Sequence, residues 1–147
     1  MTLLRVLVAL AALCALAACG GGPVKRVSPP TASVQELTVQ ADGRWHLLVR
    51  VQNFSNVSMR FDRLEATLAV TGKEIGKLSL PIALDIAPAS ADIVETTLTP
   101  APGSRLEASD FAYELKGRIT TSEPKGDFAF ERASRLSPVP GLAHTWR

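Results

Sequence analysis

Cysteine, histidine and aromatic residues are all scarce in this 147-residue chain, which has 2 Cys, 2 His and 5% Phe, Trp and Tyr together. His46 and His144 are separated by most of the sequence and form no cluster that suggests a metal, so neither a metal nor any other cofactor is expected. Cys14 lies inside an apolar run at the amino terminus and Cys19 just after it, which leaves no disulfide framework for a mature domain. Stability must then come from packing, and with so few aromatics the core is expected to be largely aliphatic. An excess of charge is missing as well. Lys and Arg total 16 against 14 Asp and Glu, and setting aside Arg5 with the leader leaves 15, so no basic field exists to draw nucleic acid. There is no Gly-x-Ser-x-Gly elbow, phosphate loop, His-Glu-x-x-His or paired-cysteine site, which argues against common catalysis. Asp62, Glu65, Asp85 and Asp92 could pair as acid and base, but outward strand positions in water account for them more simply, and the same holds for His46.

What is present begins with an address. A short segment carrying Arg5 leads into an uncharged apolar run from Val6 to Ala17, the form of a secretory leader. A bilayer-spanning helix needs roughly 20 apolar residues, so a permanent transmembrane anchor is the weaker reading. Leu16-Ala17-Ala18-Cys19 resembles the bacterial lipobox, in which small residues admit the peptidase and the thiol receives a diacylglycerol. Cys14 lacks that context because Leu13 precedes it. The plainer alternative is an ordinary leader whose removal leaves Cys19 as a free thiol. On the lipid reading the partner is a membrane, held through acyl chains on Cys19 at about 0.8 kcal/mol per buried CH₂. Gly20 follows the cysteine, and lipoproteins similar in lacking Asp there go to the outer membrane of two-membrane bacteria, facing the periplasm.

Four regions are expected: a leader over 1–18, the lipidated cysteine with a Gly/Pro-rich tether over 19–31, one domain over 32–136 and a tail over 137–147. Lys25 and Arg26 could touch anionic headgroups, although two charges on a linker are more often simply solvated. Beyond Ala32 the dominant period is two, the mark of half-buried strands. Val34, Leu37 and Val39 belong to a first strand, and Asp42-Gly43 signals a hairpin. Trp45, Leu47, Val49 and Val51 then face a core, as do Leu64, Ala66, Leu68 and Val70 before the turn at Thr71-Gly72-Lys73. Ile75, Leu78 and Leu80 lead to Pro81, which cannot donate to a ladder and predicts an edge or bulged strand. Pro88-Ala89-Ser90 is a turn, Ile93 to Leu98 a strand, and the stretch after Pro102-Gly103 has room for one helical turn. Phe111, Tyr113, Leu115, Ile119 and Thr121 alternate before Glu123-Pro124-Lys125-Gly126, with Phe128 and Phe130 beyond. About seven to nine short strands at this spacing predict an all-β sandwich of the immunoglobulin or fibronectin III kind. The last residues read as a loose tail or a strap, and Trp146, more than Trp45, could anchor at a surface.

The run from His46 to Asn53, followed by Leu64 to Gly76, by Ile86-Ala87-Pro88-Ala89 and by Ile93 to Leu98, resembles the late embryogenesis abundant (LEA) type 2 family, also described as the water-stress and hypersensitive-response domain. The likeness spans roughly Val34 to Leu115. It implies a fibronectin-type sandwich, often exported and lipid-anchored in bacteria, with protection against desiccation or other stress as the attributed role. The family's Asn-Pro-Asn loop corresponds here to Asn53-Phe54-Ser55-Asn56, which has one residue more and Phe54-Ser55 in place of the proline. Asn53-Phe54-Ser55 and Asn56-Val57-Ser58 also match the glycosylation acceptor pattern, but a bacterial lipobox makes them turn residues, since Asn bonds nearby backbone and tolerates left-handed geometry. The expected function is therefore a membrane-anchored, non-catalytic binding or protective module. Its rival is an accessory subunit of an envelope transport or surface assembly, joined to an envelope protein partner through an exposed strand edge. An enzyme is a distant third.

Overall fold

A computed structural model describes residues 21–147; the leader, the lipobox residues Leu16, Ala17 and Ala18, and Cys19 lie outside the described residues. Eight strands and no helix make up the described part: β1 (Thr31–Val39), β2 (Trp45–Gln52), β3 (Met59–Val70), β4 (Lys73–Ile86), β5 (Ala91–Leu98), β6 (Phe111–Glu123), β7 (Lys125–Leu136) and β8 (Thr145–Trp146). They form two antiparallel four-stranded sheets, ordered β5-β2-β1-β8 and β4-β3-β6-β7, so the expected all-β sandwich is the architecture found. The alternation in β2 works as read. Trp45, Leu47, Val49 and Val51 are buried between β1 and β5 while His46, Leu48, Arg50 and Gln52 turn outward. Leu64, Leu68, Leu115 and Ile119 from β3 and β6 meet them from the other sheet, completely buried. The core is mainly aliphatic, with Trp45, Phe61, Phe111, Tyr113, Phe130 and Trp146 placed among the aliphatic side chains.

Where the period of two breaks, a bulge lies beneath the break. In β1 the register jumps between Val34 and Glu36, leaving Gln35 unpaired and passing the inward position from Ala32 and Val34 to Leu37. In β4 Ile75 is the extra residue between Glu74 and Gly76, which moves the buried set on to Leu78 and Leu80. Pro81 stands on the sheet edge, as its missing N–H requires, next to a second bulge in which Ile82 and Ala83 oppose Asp62 alone.

The carboxy-terminal segment is a strap. Ser137 and Arg147 exchange backbone hydrogen bonds at 2.6 and 2.9 Å, and the N–H of Val39 donates to the carbonyl of His144 at 2.9 Å. β8 thereby joins the edge of β1, pairing Leu37 with Trp146. Trp146 corrects the expectation of a surface anchor: only 4% exposed, it meets the Phe111 ring edge to face at 5.9 Å. The helical turn expected after Gly103 is also absent. Residues 99–110 run as an irregular loop pinned where the Ala101 N–H donates to the Ile75 carbonyl at 2.8 Å.

One polar contact crosses the core. The Tyr113 hydroxyl accepts from the Val34 N–H at 3.1 Å and donates to the Val34 carbonyl at 3.2 Å, satisfying both backbone groups next to the β1 bulge. Tyr113→Phe leaves them unpaired in the interior and is expected to lower stability by about 1–3 kcal/mol in urea denaturation. Burial raises the phenol above its ordinary value of 10.0, while its bond to Val34 pulls the other way. With the folded value above the unfolded one, the contribution is intact below about pH 10 and is lost as pH rises through the folded value, so the wild type should lose this margin at high pH and Tyr113→Phe should not.

Candidate functional site

The end of the sandwich where β2 runs out gathers the β2–β3 loop, the β4–β5 turn and the residues leading into β1. Asn53, fully buried, organises it. Its Nδ2 donates to the carbonyls of Val57, Ile86 and Ala87 at 2.9, 3.0 and 3.1 Å, two protons shared among three acceptors, and its Oδ1 accepts from the Ser55 N–H at 2.8 Å. Its own N–H reaches the Ser90 carbonyl at 2.9 Å. One side chain thus fastens the β2–β3 loop to the end of β4.

Ser55 and Asn56 carry the connection outward. The Ser55 hydroxyl accepts from the Ser28 N–H at 2.9 Å and donates to the Ser28 carbonyl at 3.2 Å. Asn56 accepts from the Arg26 N–H through Oδ1 at 2.6 Å, donates through Nδ2 to the Val24 carbonyl at 2.7 Å, and its backbone N–H reaches the Arg26 carbonyl at 3.1 Å. Residues 24–28, expected to lie within a free tether, are therefore laid along the loop, and Pro30 is buried before β1 begins. Phe54, between the two asparagines, is 52% exposed.

The other residues singled out do not converge. Asp85 pairs with Arg60 at 2.9 Å, Asp62 accepts from the Ser122 hydroxyl at 2.9 Å, and Asp92 accepts from the Ile93 N–H at 2.8 Å. Glu65 is exposed on the outer face of β3. His46 Nε2 lies 3.4 Å from Glu95 Oε2 across the β2–β5 ladder. On the outer face of β6 and β7 Arg118 grips Asp127 with two bonds of 2.9 and 2.6 Å, which holds that carboxyl below its ordinary range. Among the described residues no group of three or more His, Cys, Asp or Glu is placed to hold a metal ion. At the far end a crevice of about 340 Å³ opens between the Thr71–Gly72 turn and the 99–110 loop, with Leu106 and Phe111 inside and Arg105, Glu107 and Asp110 exposed on its rim. Asn53 and Asn56 were marked by the sequence; the roles of Ser55 and Tyr113 were not, and the only signal for Ser55 was its place between two asparagines.

The geometry is that of an all-β sandwich whose buried polar cluster at Asn53 and Ser55 serves the chain itself. No protein-family model matches this chain, and no curated protein matches it. Solved structures similar to it include AT1g01470 from Arabidopsis thaliana, 18% identical with a TM-score of 0.47 over 78% of this chain and 80% of that one. A candidate late embryogenesis abundant (LEA) protein, At2g46140.1, is 16% identical with a TM-score of 0.44, over 84% of this chain and 76% of that one. A protein from Archaeoglobus fulgidus is 15% identical with a TM-score of 0.41, over 78% of this chain and 98% of that one. At these identities the likeness is one of fold alone, and it carries no ligand, partner or activity over to this chain.

Proposed function

We propose that this chain is an envelope lipoprotein, anchored through an acylated Cys19 and facing the periplasm from the outer membrane, whose LEA type 2-like sandwich works by binding or protection without catalysis. The observation that carries it is Leu16-Ala17-Ala18-Cys19 at the end of an uncharged apolar run. The described domain supports the non-catalytic half. The buried polar side chains Asn53, Ser55, Thr121 and Tyr113 spend their hydrogen bonds within the protein, mainly on its own backbone. Attachment to an assembly by strand addition is less well served at two of the four sheet edges. Edge strand β4 carries Lys73, Glu74, Lys77, Pro81 and Asp85, and edge strand β7 carries Lys125, Asp127, Glu131, Arg132 and Arg135, charges and a proline of the kind that discourages edge pairing.

The test is the intact mass of protein extracted from membranes, wild type beside Cys19→Ala. A mature chain that begins at Cys19 and carries acyl chains, absent from Cys19→Ala, is the expected result; a wild-type chain without added lipid mass would overturn the anchor. A stoichiometric partner recovered in mild detergent would turn the reading toward the accessory subunit.

A further inference from the structure

We infer that the Asn53–Ser58 end of the sandwich is a second membrane contact, in which Phe54, Val24 and Val27 enter the interfacial layer of the bilayer that holds the anchor. This rests on acylation at Cys19. Among the described residues five large hydrophobic side chains are exposed: Val24 at 84%, Val27 at 44%, Phe54 at 52%, Ile93 at 41% and Leu142 at 52%. The first three lie at this one end, because Asn56 and Ser55 lay residues 24–28 along the loop that carries Phe54. Ile93 follows two residues into β5 from the same end, and only Leu142 lies at the other. An exposed aromatic and two exposed valines have no internal reason to gather at one end, and such groups mark surfaces that meet something else.

The occupant follows from where the chain goes next. Val24 is fastened to the fold, and Cys19 stands five positions before it, a reach of at most about 18 Å. β3, with 12 residues, makes the sandwich about 40 Å long. The acylated residue therefore keeps this end at the bilayer and lets the opposite end, with its crevice, stand away from it. Lys25 and Arg26 sit exposed between the two valines, where they meet anionic headgroups, and Lys125 lies at the same end. Asp92 and Glu123 are there too, with the Asp92 carboxylate turned onto the Ile93 N–H, so local charge is mixed and the apolar side chains carry the contact. Apolar side chains with basic neighbours, seated at the headgroup boundary, are the composition of an interfacial contact rather than of a spanning one.

A mature chain acylated on Cys19 has no free thiol, so Phe54→Cys introduces a single labelling site, with Leu142→Cys as the counterpart at the far end. Each acylated variant, carrying a polarity-sensitive fluorophore, is placed in vesicles of phosphatidylethanolamine and phosphatidylglycerol containing a lipid-borne quencher. Quenching several-fold stronger at position 54 than at 142 is expected. Equal quenching, or stronger quenching at 142, overturns the proposal, and so does a label at 54 that lipid never reaches, whether water or another protein surrounds it. Intact mass of the same samples separates the two levels: an acylated chain with an unquenched label at 54 sinks only this contact, whereas an unacylated chain sinks the anchor and the contact together.

Discussion

Gly117→Ala is expected to lower stability by at least about 4 kcal/mol, at the far end of what single substitutions produce. Gly117 lies in the middle of β6, opposite Ala66 of β3 on one side and Phe130 of β7 on the other. A methyl group there would run into the carbonyl oxygen of Glu65 and stand 2.6 Å from Ala66 Cα and 2.8 Å from Ala66 Cβ. These are backbone atoms and a short side chain of the strand between β4 and β6, so nothing flexible can swing aside. Relief requires β3 and β6 to part, and they supply Leu64, Leu68, Leu115 and Ile119 to the core. Gly22→Ala, where an added methyl meets nothing within 4 Å, is the control and should be silent. Trp45 and Trp146, both buried, report unfolding by fluorescence. A Gly117→Ala protein that unfolds within about 1 kcal/mol of wild type would mean that the two strands are not packed as closely as described.

Gly117 shows where sequence reading stops. It was legible only as an interruption of the Phe111-Tyr113-Leu115-Ile119 alternation, because its cost lies in a neighbour 51 positions earlier on β3. The strands themselves were readable wherever inward positions kept a strict step of two, as from Trp45 to Val51 and from Leu64 to Val70. Gln35 and Ile75 disturb that step because a bulge inserts one residue without any compositional mark. The stretch past Gly103 was misread for a related reason. The Ala101 N–H goes to Ile75 on another strand, and the Ser104 N–H closes on the Ala101 carbonyl at 3.1 Å, so a long-range bond fixes the loop just ahead of the stretch where the helical turn is expected. β8 is two residues long, too short for any periodicity, and its partners on β1 are more than a hundred residues away, as in the Thr38–Thr145 hydroxyl pair at 3.2 Å. The same limit governs the loop: Asn53 could be recognised as a turn former, but not as the donor to carbonyls 33 and 34 residues downstream.

That donor role gives the second large effect. Asn53→Ala removes the amide that serves the carbonyls of Val57, Ile86 and Ala87 and the oxygen that serves the Ser55 N–H; the bonds to Ile86 and Ser55 are buried and those to Val57 and Ala87 part-buried, around a side chain that is itself fully buried. Each group left without a partner costs about 1–3 kcal/mol, and partial opening of the loop to water brings the expected total to about 3 kcal/mol in urea denaturation. Asn53→Asp separates shape from hydrogen bonding. It keeps the size and the acceptor for Ser55 but sets a carboxylate against three carbonyl oxygens, so it should be worse than Asn53→Ala near neutral pH. Lowering the pH protonates that carboxyl, restores one donor and should return part of the loss, a response that Asn53→Ala cannot show. Asn56→Ala supplies the contrast. Its bonds to Val24 and Arg26 are exposed, so global stability should fall by less than about 1 kcal/mol while hydrogen exchange of the Arg26 N–H rises sharply. If Asn53→Ala were as mild as Asn56→Ala, the loop would be held by its strands alone and Asn53 would be a turn former and nothing more. If the two differ as expected, the buried asparagine is what keeps Phe54 and the 24–28 segment presented on one rigid end of the sandwich.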